Sequence, residues 1–494
     1  MFQEFKIFLK ENNKFIALFV FHSIVTISIG LAYHPYIDDA DRQVRGLTNF
    51  GLHYARYLTE YMSWFVQGDK HLVELGLTTH FLTAIITTMS AIVVLYLFNG
   101  RHKVSFFQIV AATFLAINPW FIEVLSFRFD APYIAMSVLV SVLPFLYYNE
   151  NRFLFYLFST IGIFLMCNAY QASSGIYLVV LLSLSLISFF KQITIIAIMQ
   201  KLLIGLSGYG SGMLFYMIEM KFNTQLAERD ITTFPSLSEL PVTAVKNVIY
   251  LYRELLSQMS PIWIFLIALI VILFPITLLF RTKRLKWVNI LLGYLYIFLG
   301  FISSTGVFIF MSESPVTGRP RYIYGFAFFV GIILILFLSP SRVKAFQFFK
   351  TFIVSLLVFY MYSFSLSYAT MLYYQNDSFN AQSIELGTKL SEVMSIEEQN
   401  SSQRVIINTN RLFKDSEIYR NTLDNYPILD DLIFSNSTVY WPNSNRFRTQ
   451  TELNVDFKAI NFNDLNMSEM TEVYSNVKFS IFRDQNQVIY LKWN

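Results

Sequence analysis

Long apolar runs joined by short polar connectors leave this chain little choice of solvent. Only 14% of its 494 residues are charged and 55% are hydrophobic, whereas soluble domains carry about 25% charged residues. A bilayer core about 30 Å thick is crossed by roughly 20 consecutive apolar residues in a helix. The qualifying stretches are Phe15–Tyr33, Gly76–Phe98, Phe106–Val124, Pro132–Tyr148, Phe153–Tyr170, Gly175–Phe190, Ile193–Met220, Pro261–Phe280, Val288–Met311, Tyr322–Leu338 and Thr351–Tyr373. They predict a polytopic α-helical membrane protein with about eleven spans. The basic segment Met1–Lys14 leads into the first run without a small-residue cleavage site, so a retained anchor helix is expected. The single cysteine, Cys167, excludes an intramolecular disulfide. Gly205, Gly208, Gly210 and Gly212 fall within one run and suit close helix packing.

Basic loops stay cytoplasmic. One alternating set of connectors holds Lys6, Lys10 and Lys14, then Arg101 and Lys103, Arg152, Lys191, the Arg281–Lys286 group, and Arg342, Lys344 and Lys350. The other set holds Asp38–Arg45, Arg128–Asp130, Tyr170–Ser174, Lys221–Ser260 and Ser312–Arg321. An odd number of spans then places the N-terminus inside and the C-terminal part outside the cell membrane. The net charge of +4 is small, and no nucleic-acid partner is expected.

Residues 1–374 therefore form the membrane domain, and 375–494 change character. That tail is polar, rich in Asn, Ser and Asp, and lacks a spanning run. Arg404–Asn408, Ser437–Tyr440, Val477–Phe482 and Gln487–Lys492 read as strands. Glu385–Glu398 reads as a helix with Leu386, Leu390, Val393 and Met394 on one face. A small extracytoplasmic α/β domain is expected.

The chemistry concentrates where helices leave the bilayer. Asp38, Asp39 and Asp41, with Arg42 and Arg45, follow the first span directly. An ionisable cluster this close to lipid is a functional-site candidate. Adjacent aspartates splay about 100° apart on a helix, so one can act as a general base while the other binds arginine or backbone. Helix capping is the plainer role. Gly51–Phe65 has an amphipathic pattern that can lie in the membrane interface. Glu123, Arg128 and Asp130, among Trp120, Phe127 and Phe129, mark a second site. Tyr170 and Gln171 mark a third, and Glu313–Tyr322 with Arg319 and Arg321 a fourth. All four fall on the outer side under the loop-charge topology. Arginines gathered there suggest an anionic ligand, most naturally a phosphate. His34 and His53 flank the acidic loop without the ligand spacing that would specify a metal site, so no cofactor is expected and a divalent metal stays open but unsupported.

Tyr36-Ile-Asp-Asp39 with Arg42, Asn118-Pro-Trp-Phe121 with Glu123, Ser126-Phe-Arg-Phe-Asp130, and Tyr170-Gln-Ala-Ser173 together resemble the bacterial polytopic glucosyltransferase II family, which modifies O-antigens and other surface polysaccharides. The likeness is best over Tyr33–Tyr177 and looser to Tyr322. It implies a GT-C-like fold and an inverting transfer of a glucose-type hexose from a polyprenyl-phosphate donor to a surface polysaccharide, on the outer face of a bacterial cell membrane. It implies that Asp38 or Asp39 activates the acceptor hydroxyl. Arg42 and Arg128, with Arg319 and Arg321 added by their position, would neutralise the leaving phosphate. Glu123, Asp130, Tyr170 and Gln171 would contact substrate. The competing expectation is a flippase or transporter of lipid-linked saccharides, which calls for mid-helix charges and repeat symmetry. A non-catalytic anchoring protein would make the Asp38–Asp39 pair dispensable.

Overall fold

The computed structural model describes residues 2–47, 49–227, 235–279, 286–312, 319–341 and 343–494. Glu313–Gly318, most of the fourth constellation, and the basic positions Arg281, Lys283, Arg284 and Arg342, lie outside the described residues. The chain divides into two compact units. The first comprises Met1–Ser28, Thr48–Lys70 and Leu75–Ser367; the second comprises Ile29–Leu47, His71–Glu74 and Tyr368–Asn494.

The first unit is helical. Among the described residues, the long apolar helices Thr78–Asn99, Arg152–Ala169, Gln171–Phe190, Pro261–Leu278, Trp287–Ser304 and Lys344–Val393 can each cross a bilayer, and the pair Gln3–Glu11 and Phe15–Leu31, bent by 79°, makes a seventh candidate. The split of the Phe153–Phe190 run into two spans is thus found. Eleven full-length spans are not. Tyr324–Phe337 and Ala131–Tyr147 are apolar but short. Ile195–Lys221 is long, but its glycines and Lys201 dilute its apolar character.

Phe106–Val124, expected as one helix, is broken for a local reason. The helix Phe106–Thr113 starts on a Ser105–Gln108 capping box, and a second, Ile122–Ser126, follows the gap. In between, the Asn118 amide donates to Phe114 O (2.9 Å) while its oxygen accepts from the Trp120 and Phe121 N–H groups (3.1 and 2.9 Å). Pro119 has no N–H to continue a helix. The whole turn is buried, the condition under which irregular backbone is tolerated at membrane depth.

Small residues let the helices approach, as their pattern suggested. A Cβ on Gly208 would come 2.6 Å from Ser159 Cβ, and one on Gly212 would come 2.6 Å from Thr160 O. Helix 195–221 therefore lies close against helix 152–169. Gly210 faces open space and takes no part.

The second unit has five strands, β1 (Val405–Thr409), β2 (Val455–Ala459), β3 (Thr471–Ser475), β4 (Phe479–Arg483) and β5 (Ile489–Trp493). They are ordered β2-β1-β5-β4-β3. β1 pairs in parallel with β2 and β5, while β4 runs antiparallel to β5 and β3. Alternate residues Ile489, Leu491 and Trp493 point inward and join Phe379, Leu386, Leu390 and Phe447 in the core. Helix Lys344–Val393 runs unbroken through residue 374. Ser437–Tyr440 is not a strand; it leaves a turn at Ser437 and enters helix Trp441–Thr451, whose first turn holds Pro442. A polar network secures the long helix: Asp415 accepts from Gln375 Nε2 (2.8 Å), Ser435 Oγ (2.6 Å) and Asn436 N (2.7 Å).

Candidate functional site

The candidate residues fall into both units. Asp38, Asp39 and Arg42 belong to the second, and Glu123, Arg128, Asp130, Tyr170, Gln171, Arg319 and Arg321 to the first.

In the second unit, Asp39–Arg45 is a seven-residue helix with acids in its first turn and arginines in its last, the order that the helix dipole favours. Spacing of four residues pairs Arg42 with Asp38 (3.3 Å) and Arg45 with Asp41 (3.2 Å). The two adjacent aspartates do divide their work. Asp39 is wholly buried and accepts the Tyr36 N–H at 2.9 Å, which fixes the turn entering the helix. The Asp38 side chain keeps 25% of its surface exposed. Gly46 ends the helix in the left-handed region (φ +63), and a Cβ there would strike the His71 ring.

The same helix is tied to the C-terminal part of its unit. Tyr36 donates to Leu432 O at 2.7 Å, and Asn445 Nδ2 donates to Asp41 at 3.3 Å. A cleft of about 420 Å³ runs along this contact, with Arg45, Arg404 and Arg448 on its walls. Burial, then the neighbouring Arg404 cation, pushes the Arg448 guanidinium down from its ordinary value. Arg446, on the same helix as Asn445, is pushed down to about 9 by burial and remains charged at neutral pH over the Phe379 ring, 3.9 Å away.

In the first unit, Glu123 is the anchor. It is fully buried and accepts from the Arg321 backbone N–H at 2.9 Å and from the Arg321 guanidinium. Arg321 also lies over the Phe127 and Tyr322 rings, at 5.4 and 5.0 Å. Arg128 and Asp130 are both 3% exposed, and Asp130 begins helix Ala131–Val142. Arg319 is half-buried, just before the short turn Pro320–Tyr322. The sequence expectation of Glu123 beside substrate thus acquires a second role, holding an arginine 198 residues away.

Tyr170 lies parallel to Tyr322 and Tyr324, each with its ring centre 6.4 Å away. Gln171 is engaged within the protein: its amide donates to Tyr216 Oη at 2.6 Å and to Tyr54 O at 3.4 Å. Gly51–Phe65, expected as one amphipathic helix, is two helices, Phe50–Tyr54 and Tyr57–Gln67. Arg56, at their junction, sits over Tyr170 with its guanidinium carbon 4.5 Å from the ring centre. In the amphipathic pattern of Gly51–Phe65, Arg56 reads as one polar position off the apolar stripe. Its position after Ala55 carries no local signal of the junction.

Among the described residues no group of three or more His, Cys, Asp or Glu side chains converges as metal ligands would. What does assemble is a set of arginines on aromatic rings in one unit and an accessible carboxylate beside a buried one in the other. A family model described as Glucosyl transferase GtrII matches residues 27–332, a span that includes all of these candidate positions. No curated protein matches the chain.

Proposed function

This chain belongs to the glucosyl transferase GtrII family, and from that premise we propose that it transfers a glucose-type hexose from a polyprenyl-phosphate donor to a cell-surface polysaccharide. The reaction runs on the outer face of a bacterial cell membrane, with the N-terminus inside and residues 375–494 outside. In this reading the protein has a GT-C-like membrane domain, with the shorter apolar helices completing its spans.

Asp38 is the base and Asp39 its positioning neighbour. The observation that carries this is their unequal exposure: a base must reach the acceptor hydroxyl, and only Asp38 has open surface, while Asp39 is committed to the Tyr36 N–H. The acceptor oxygen bonds to the anomeric carbon from the face opposite the phosphate. Its proton passes to Asp38, and the carbon–oxygen bond to the phosphate breaks with its electron pair on the leaving oxygen. Arg128, Arg319 and Arg321, with Arg42, neutralise that growing charge, the kind of preorganised electrostatics that contributes most to such steps. Asp130, Tyr170 and Glu123 shape the sugar site, and Gln171 orients its wall.

The test follows release of polyprenyl phosphate from a labelled lipid-linked hexose in membranes carrying Asp38→Asn or Asp39→Asn, with protein levels measured in parallel. Asp38→Asn abolishes turnover at a normal protein level, and Asp39→Asn lowers the level of folded protein as well. Full turnover in both variants transfers the base role to another carboxylate, Asp130 first. An inactive wild-type protein, over several donors, favours a flippase of lipid-linked saccharides instead.

A further inference from the structure

We infer that Arg56, on the Tyr170 ring, is a binding residue for the phosphate of a lipid-linked sugar; this rests on the transferase reading above. The backbone that presents Arg56 is unusual and firmly held. Ala55 adopts φ +51, in the left-handed region that favours glycine. Its N–H bonds Gly51 O at 2.8 Å and the Arg56 N–H bonds Phe50 O at 3.0 Å. Tyr216 donates to Ala55 O at 3.3 Å, and Asn223 donates to Gly51 O at 3.0 Å and Leu52 O at 3.2 Å. A sparsely populated conformation kept by bonds from distant parts of the chain points to a functional constraint.

The side chain differs from that of Arg321. Among the described residues no carboxylate pairs with Arg56, and its buried Nε has no hydrogen-bond partner. The hydroxyl of Tyr170, 2% exposed, is likewise without a partner. Arg321, by contrast, is bound by Glu123. Buried polar groups are almost always satisfied, so the unpartnered Nε of Arg56 and the unpartnered hydroxyl of the ring beneath it mark a place for an acceptor-rich ligand. A phosphate supplies several acceptors and matches the planar fork of arginine. The flat Tyr170, Tyr322 and Tyr324 faces beside it offer an apolar platform to the attached sugar or to the first carbons of the lipid.

Arg56→Lys keeps the charge and removes the fork; Arg56→Gln removes the charge; Tyr170→Phe removes the hydroxyl. Purified full-length protein in nanodiscs is titrated with polyprenyl phosphate, with phosphatidylglycerol as the competing headgroup, and KM and kcat are measured for the lipid-linked donor. Folding is checked by the melting midpoint. The inference expects polyprenyl-phosphate binding to weaken on the order of tenfold or more in Arg56→Gln and less in Arg56→Lys. Donor KM rises in parallel and kcat falls less. Unchanged binding and KM in both Arg56 variants, with a wild type that transfers sugar, overturns this site and leaves the transferase reading standing. Binding that is lost in the variants of a protein that transfers no sugar supports the site and overturns the transferase reading. Equal displacement by phosphatidylglycerol makes this a general headgroup site and overturns the donor assignment, and a wild type that neither binds nor transfers overturns both.

Discussion

Breaking the Glu123–Arg321 pair from either side exposes how firmly the arginine is held. Glu123 has no exposed side-chain surface and Arg321 keeps 13%, so neither charge is well hydrated. The carboxylate makes two bonds to the same residue, one to its backbone N–H and one to its guanidinium. A hydrogen bond to a charged group contributes about 1.5–3 kcal/mol, and stranding one member of a buried pair costs about 3–5 kcal/mol. Glu123→Gln keeps an oxygen for the Arg321 N–H and should therefore sit at the low end, about 2–3 kcal/mol. Arg321→Met takes the guanidinium from a fully buried carboxylate and loses two ring contacts, so about 3–5 kcal/mol is expected. The double variant should recover about 2 kcal/mol of the summed loss, because no charge is left stranded. The assay is unfolding by dodecyl sulfate in mixed micelles, followed by tryptophan fluorescence, for wild type, both singles and the double. Additivity to within about 0.5 kcal/mol would refute the pairing.

Three further outcomes are expected. Arg483, with help from Ser395, holds the Glu398 carboxyl below its usual range; its contribution to the second unit is complete above the ordinary glutamate value near about 4.3 and is lost as pH falls through the lowered folded value. Near-ultraviolet circular dichroism of the full chain should show acid loosening that Arg483→Met makes shallower, and identical curves would count against it. Gly175→Ala would set a Cβ 2.1 Å from Ser304 O; since backbone cannot yield cheaply, a loss of about 1–3 kcal/mol is expected in the micelle assay. Ala55→Gly should relieve the left-handed strain and gain up to about 1 kcal/mol, and a clear destabilisation would show that the alanine methyl is needed there.

Much of the membrane part is legible in the sequence because spanning is a local property. Six of the expected runs recur as long apolar helices, each readable from one stretch of chain measured against the bilayer. Phe106–Val124 shows the limit: its composition is that of a span, yet Asn118 and Pro119 redirect the backbone, and only burial by surrounding helices makes that turn affordable. Strands β1, β4 and β5 are visible as alternating or β-branched segments; β2 alternates as well, with Val455 and Phe457 in the core, but over only five residues, and the mostly exposed β3 owes its extended form to pairing with β4.

The order of residues along the chain is enough to read a membrane protein, the charged helix ends, and the family that the motifs of Tyr33–Tyr177 resemble. Tertiary structure alone decided the partners. It grouped the Asp39–Arg45 helix with the C-terminal sheet unit, joined Glu123 to Arg321 across 198 residues, and set Arg56 over Tyr170. Hydropathy is summed along neighbouring residues, so a window of chain suffices to read it. A charge pair or a ring contact depends on where two distant backbones pass, and no local window contains that information.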